Sequence, residues 1–197
     1  MCGIVGYIGK YDTTKILLDG LKELEYRGYD SAGIAVLHGN EIDVFKAVGK
    51  LVNLEEKVNQ NNKDRYNLGI GHTRWATHGK PTEVNAHPHL GEYSYVVHNG
   101  IIENYKELKE ELTSKGHKFV SQTDTEVIVH LFENFYNQLN DTKKAFQNTI
   151  SRLEGAFSIL LITKADPKKV FFFKHGSPLI VAKGNEKEEV LFSSSDA

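Results

Sequence analysis

Strands open this chain, helices fill its middle, and strands close it. That order constrains the fold more than any other feature. Gly3–Ile8 is a short apolar run bounded by glycines and reads as a buried strand. Residues 33–37 and 43–47 flank a His38-Gly39-Asn40 turn, which signals a hairpin. Residues 68–73 and 93–98 read as two more strands, the second running into Asn99-Gly100. Helical spacing appears in four places. Asp12 caps a helix ending near Tyr26, with Leu17, Leu21 and Leu24 on one face. Residues 104–115 carry Tyr105, Leu108 and Leu112 in register, with Gly116 as a stop. Asp124 or Thr125 caps a third helix, striped by Ile128, Leu131, Phe132 and Phe135, and a fourth carries Phe146, Thr149, Ile150 and Leu153. Strands return at 157–163, 169–174, 179–182 and 189–193. Residues 54–64 read as polar, with Gln60-Asn61-Asn62 in an exposed loop, and 77–91 as an irregular stretch punctuated by Gly and Pro.

The regular alternation of strand and helix that builds a parallel sheet is missing. Hairpin-type connections argue instead for an α+β protein with two mainly antiparallel sheets covered by helices. The apolar character of the strands suits sheets buried on both faces, in a four-layer α/β/β/α sandwich. With 197 residues, 40% of them hydrophobic, the chain can bury a sizeable core. A net charge of -2 gives no basic footprint for nucleic acid, and no apolar run reaches the length of a membrane span. A soluble, cytoplasmic protein is the expectation, and the single cysteine excludes an internal disulfide framework.

That cysteine, Cys2, directly follows Met1. Removal of Met1 would put a thiol and a free α-amine on one residue. An α-amine titrates at roughly 7.7–8.0 and a thiol near roughly 8.5, so near neutral pH the amine can accept the thiol proton. N-terminal nucleophiles are activated in this way. A lone cysteine can equally be a small buried hydrophobe. Four further segments are polar, glycine-punctuated and placed where strands end or helices begin, which is where site residues usually sit. They run from Glu25 to Gly33, from Gly71 to Gly79, over His98-Asn99-Gly100, and from Ser121 to Glu126.

The opening Cys2-Gly3-Ile4-Val5-Gly6, followed in order by these segments and by Asn85-Ala86-His87-Pro88-His89, resembles the class II glutamine amidotransferases. More narrowly, it resembles the glutaminase domains of the glutamine–fructose-6-phosphate aminotransferases. The resemblance covers nearly the whole chain and implies a sandwich of the N-terminal-nucleophile-hydrolase type. It implies that Cys2 attacks the side-chain amide of L-glutamine to form a γ-glutamyl thioester, with its α-amine as base and then acid. Asn99 and Gly100 would hold the oxyanion. Arg74 would grip the substrate α-carboxylate, and Asp124 its α-ammonium. Trp75, Thr77 and His78 would belong to a loop over bound glutamine, and Arg27 and His87 would lie near the site. For several of these a plainer role stays open: a tight turn for Asn99-Gly100, a helix cap for Asp124, core packing for Trp75 and an ion pair for Arg27.

The resemblance also implies that a separate sugar-phosphate domain uses the ammonia on fructose 6-phosphate. Residues 1–197 would then be one glutaminase domain, lacking that second domain and a short tail of its own. A homodimer is implied for the full-length enzyme, and a monomer is the expectation for such a fragment. No cofactor is expected. Two other functions are weighed against this one. His72, His78, His87, His89 and His98 fall close together and raise a metal-dependent hydrolase, but zinc-type ligand spacing is missing and no metal is expected. A non-catalytic glutamine sensor would keep the Arg74 and Asp124 pocket without turnover.

Overall fold

The computed structural model describes residues 2–25, 28–61, 66–75, 79–184 and 189–195. Among the described residues, ten strands form two sheets, and every strand pairing in them is antiparallel. The first sheet has six strands in the order β3-β2-β4-β1-β10-β9: β1 (Gly3–Ile8), β2 (Ser31–His38), β3 (Glu41–Val48), β4 (Leu68–Arg74), β9 (Ile180–Lys183) and β10 (Val190–Ser195). The second has four in the order β5-β6-β7-β8: β5 (His89–Leu90), β6 (Ser94–Gly100), β7 (Phe157–Thr163) and β8 (Phe171–His175). Helices α1 (Thr13–Glu23) and α2 (Leu51–Asn61) cover the first sheet, while α4 (Glu126–Leu139), with α3 (Tyr105–Ser114) and α5 (Thr142–Arg152) beside it, covers the second.

Successive strand residues point to opposite faces, so each central strand feeds two cores. On β1, Val5 and Tyr7 join Leu17 and Leu21 beneath the helices, while Ile4 turns toward the other sheet. On β7, Ile159 and Leu161 face α4, and Leu160 and Ile162 face the first sheet. Three cores separate four layers, as the α/β/β/α expectation requires. On β4 the inward residues are Leu68 and Ile70, and glycines occupy the helix face. A Cβ at Gly69 would lie 2.8 Å from Leu17 Cδ1, so the glycine lets α1 lie directly on the sheet.

Several local expectations hold. The Asp12 carboxylate accepts the Lys15 N–H as the α1 cap, and β2 and β3 pair up to His38 and Glu41 across a two-residue turn. Others need correction. Residues 51–61 are helical, because Leu51, Leu54 and Val58 share one buried face within an otherwise polar segment. The irregular stretch holds the short strand β5, and α1 ends at Glu23. Asn99-Gly100 is no turn: both residues continue the ladder, opposite Ser158 and Phe157. Asp124 does not cap α4; Thr125 holds the cap position, and the Asp124 carboxylate is used elsewhere. Among the described residues, no helix is long and apolar enough to cross a membrane.

Candidate active site

Antiparallel pairing of β1 with β4 sets Gly3 opposite Thr73, so the start of one strand meets the end of the other. Cys2 and Arg74 extend that end. The end of β6 arrives there from the second sheet, and the Asn99 amide Nδ2 donates to the Cys2 carbonyl at 3.2 Å. Residues 97 positions apart thus share one edge of the sandwich. A cleft of about 260 Å³ opens at this edge, lined by Cys2, Arg74, Trp75, His87, Asn99, Gly100 and Asp124 among others. Seven of the ten sequence-predicted site residues therefore line one cavity. Arg27, Thr77 and His78 lie outside the described residues.

The thiol sits on the backbone of Trp75. The Trp75 N–H donates to Sγ at 3.3 Å, and the thiol reaches the Trp75 carbonyl at 3.6 Å. One residue can thereby serve both protonation states, its carbonyl accepting from the thiol and its N–H donating to the thiolate. Gly100 has φ +109°, and a Cβ there would fall 2.1 Å from the Ala156 carbonyl oxygen. Only glycine fits. Beside it, the Asp124 carboxylate accepts the Ile102 N–H at 2.8 Å.

Arg74 is only 4% exposed, and its guanidinium donates to the Gly79 and Lys80 carbonyls at 3.4 and 3.5 Å. That loop is tied in turn to the Asp124 segment through Asn85. The Asn85 amide donates to the Lys80 carbonyl at 3.0 Å, and its oxygen accepts the Gln122 N–H at 2.9 Å. Trp75 is 50% exposed, so it is no core aromatic; it packs over Gly28, where a Cβ would lie 2.8 Å from its ring.

Behind the cleft lies a buried floor of four histidines, His72, His87, His89 and His98. His87 Nε2 and His98 Nδ1 share the Thr125 hydroxyl at 2.9 and 3.0 Å, and His89 Nε2 meets the Thr123 hydroxyl at 3.0 Å. The His72 ring stacks on His87 with centroids 4.0 Å apart, and its Nε2 lies 2.9 Å from Asn99 Oδ1. Burial pushes all four imidazoles down, His72 to about 3, so they are neutral near pH 7. Each ring is bound to a protein group. Among the described residues, no three His, Cys, Asp or Glu side chains converge to hold a metal ion.

Sequence reasoning placed His72 and His98 in candidate site segments and weighed them as metal ligands, and read Thr125 as a helix cap; it did not foresee that Thr125 holds His87 and His98. The available signal was their placement: histidines inside apolar strands, facing a helix start that carries two threonines.

The sequence profile described as "Glutamine amidotransferase domain" matches residues 72–197. The chain belongs to this glutamine amidotransferase family. It is 60% identical over 197 residues to the glutamine–fructose-6-phosphate aminotransferase (isomerising) of Campylobacter jejuni, covering 100% of this chain and 33% of that protein. The Helicobacter pylori protein of the same name is 56% identical over 195 residues, with 99% and 32% covered. The chain thus spans about a third of the length of the curated relatives it matches. Among solved structures, the glutamine phosphoribosylpyrophosphate amidotransferase of B. subtilis superposes with a TM-score of 0.81. It is 26% identical over 98% of this chain and 41% of its own. A glutamine aminotransferase class-II domain protein from Silicibacter pomeroyi shares the fold, with a TM-score of 0.67 at 15% identity over 98% of this chain and 88% of its own.

Proposed function

We propose that this chain hydrolyses the side-chain amide of free L-glutamine, with Cys2 as nucleophile once Met1 has been removed. The observation that carries the reading is the meeting of a thiol, an amide donor and a glycine end at one cleft with Arg74 and Asp124. The freed α-amine accepts the thiol proton, and Sγ forms a bond to the glutamine Cδ. Negative charge moves to the amide oxygen. Asn99 Nδ2 and the Gly100 N–H are the donors for it, rigidly held and neutral, so the developing charge meets dipoles that need no rearrangement. The α-ammonium returns its proton to the leaving nitrogen, the C–N bond breaks, and ammonia departs. Water then adds to the γ-glutamyl thioester, the amine taking its proton. The C–S bond breaks to release glutamate and restore the thiol.

Arg74 and Asp124 select the substrate. A guanidinium fork suits the α-carboxylate, and a carboxylate fixed by the Ile102 N–H suits the α-ammonium. Recognition of both charges admits a free amino acid and rejects glutamine within a peptide. In a longer protein of the kind the 60%-identical relative represents, the ammonia would be passed to fructose 6-phosphate, giving glucosamine 6-phosphate in amino-sugar synthesis. The test is glutamate release from glutamine before and after alkylation with a glutamine-mimicking electrophile. Hydrolysis that stops as one equivalent of label reaches Cys2 supports the reading. Hydrolysis that survives full labelling rejects it, and glutamine binding without any turnover would favour a sensor.

A further inference from the structure

The hydrogen-bond geometry of His72 settles which way the Asn99 amide points. His72 lies on β4, opposite Ile4 of β1 and Gly33 of β2, and is fully buried. Its ring crosses to the second sheet, where Nε2 meets two groups of β6: the His98 carbonyl at 3.1 Å and Asn99 Oδ1 at 2.9 Å. A backbone carbonyl only accepts, so Nε2 must carry the proton. A protonated Nε2 requires an acceptor from Asn99 as well. The amide oxygen therefore faces the ring, and the NH₂ group faces the other way, toward Cys2. The opposite rotamer would set N–H against N–H in a buried site.

Two further observations agree. The other ring nitrogen, Nδ1, is buried with no hydrogen-bond partner among the described residues, as suits a bare lone pair rather than an N–H. The ring plane is also fixed, by its stack on His87, which the Thr125 hydroxyl holds in turn. The Asn99 NH₂ group donates to the Cys2 carbonyl at 3.2 Å, on the side of the residue that lines the cleft.

We infer that His72 is a positioning residue for the glutaminase reaction: its Nε2–H, locked by the His98 carbonyl, holds Asn99 with its NH₂ group toward the oxyanion. This rests on the hydrolysis proposed above. His72 is buried and is not among the residues that line the cleft, so it acts on the reaction through Asn99. Loss of one oxyanion donor costs about 10²–10³ in kcat, and loss of the group that aims it should approach the lower end of that range.

The experiment is a double-mutant cycle on glutamine hydrolysis with His72→Phe, Asn99→Ala and the double variant, with His72→Gln as the conservative control. We expect His72→Phe to lower kcat about 10²-fold while KM for glutamine stays within about threefold. Gln places an N–H near the position of Nε2 and should recover most of the loss. In the Asn99→Ala background, His72→Phe should cost almost nothing more, because the group it aims is gone. Reaction of Cys2 with iodoacetamide, which needs no oxyanion donor, should keep its native rate. Losses that multiply in the double variant, or a His72→Phe protein with native kcat, overturn the inference. A wild-type protein without hydrolysis would instead defeat the underlying reading. If His72→Phe does not fold, ¹⁵N NMR of the histidines in the unmutated protein decides. The Nε2–H tautomer, unchanged from pH 5 to 8, is expected. A His72 ring protonated on Nδ1, or one that titrates in this range, refutes the inference.

Discussion

The two ends of the cleft are built differently. At the chemical end, groups from both sheets hold one another: Cys2 carbonyl on Asn99, Asn99 on His72, His72 on the His98 carbonyl, with distances of 2.9–3.2 Å. Everything there is neutral or carries a single proton to move. At the amino-acid end, Arg74 reaches loop carbonyls at 3.4 and 3.5 Å, and Asp124 rests on one backbone N–H. Both charged groups line the cleft, where they can meet the two charges of a zwitterion. A site arranged this way separates its tasks. Damage to the first end should appear in kcat, and damage to the second in KM.

The largest expected effect tests the first end. Cys2→Ala should lower glutamine hydrolysis by about 10⁵-fold or more while leaving glutamine binding intact by calorimetry, since Arg74 and Asp124 remain. Asn99→Ala should reduce kcat by about 10²–10³-fold with little change in KM. The complementary break is Arg74→Lys or Asp124→Asn. Each should raise KM about 10²-fold and change kcat by less than about threefold, because the first loses the bidentate fork and the second the negative charge, and both contacts are made equally in ground and transition states. A steady-state series across these four variants would collapse the comparison if the kcat and KM effects were mixed at both ends.

A smaller effect separates the floor from the rest of the fold. The unfolded chain takes up protons on its histidines near pH 6.5, whereas folded His72 resists until about 3. The unfolded state therefore binds more protons between these values. Stability is complete above about pH 6.5 and falls as pH drops toward 3. At pH 5 the loss from His72 alone is about 2 kcal/mol. His87, His89 and His98 are shifted in the same direction and add to it. Glu126 does not confuse this window. Burial would raise its carboxyl, but hydrogen bonds from His130, Ser121 and the Val120 N–H hold it down to about 2, so its contribution fades only below about pH 4.5. Urea midpoints at pH 7.5 and 5.0 measure the loss, and equal midpoints would contradict a neutral floor. The smallest effect is at the rim. Trp75→Ala removes a half-exposed ring over Gly28 and should raise KM by less than about tenfold, with unfolding barely altered.

The layered fold was legible because alternation is local. Ile4 beside Val5, and Leu160 beside Leu161, announce two buried faces without knowledge of their partners. Helix α2 was not legible, because only Leu51, Leu54 and Val58 form its buried face, and the polar residues around them, three of them Asn, mask that short stripe. Strand order was hidden as well: β1 lies between β4 and β10, partners far away in the chain. The site residues were read by resemblance, and pattern alone could not have joined Cys2 to Asn99. Asp124 was half read, its cap role replaced by a bond to Ile102 that links two loops. The histidine floor was left without a role, since a sequence shows ring spacing but not that Thr123 and Thr125 would occupy the nitrogens.

The central claim is that one residue supplies both thiol and base, and intact mass spectrometry on a sample of measured glutaminase activity tests it most directly. After treatment with a glutamine-mimicking electrophile, the active protein should lack Met1, carry one adduct on Cys2, and have lost its activity in proportion to labelling. A fully active protein that retains Met1, with its amine locked in a peptide bond, would contradict the account.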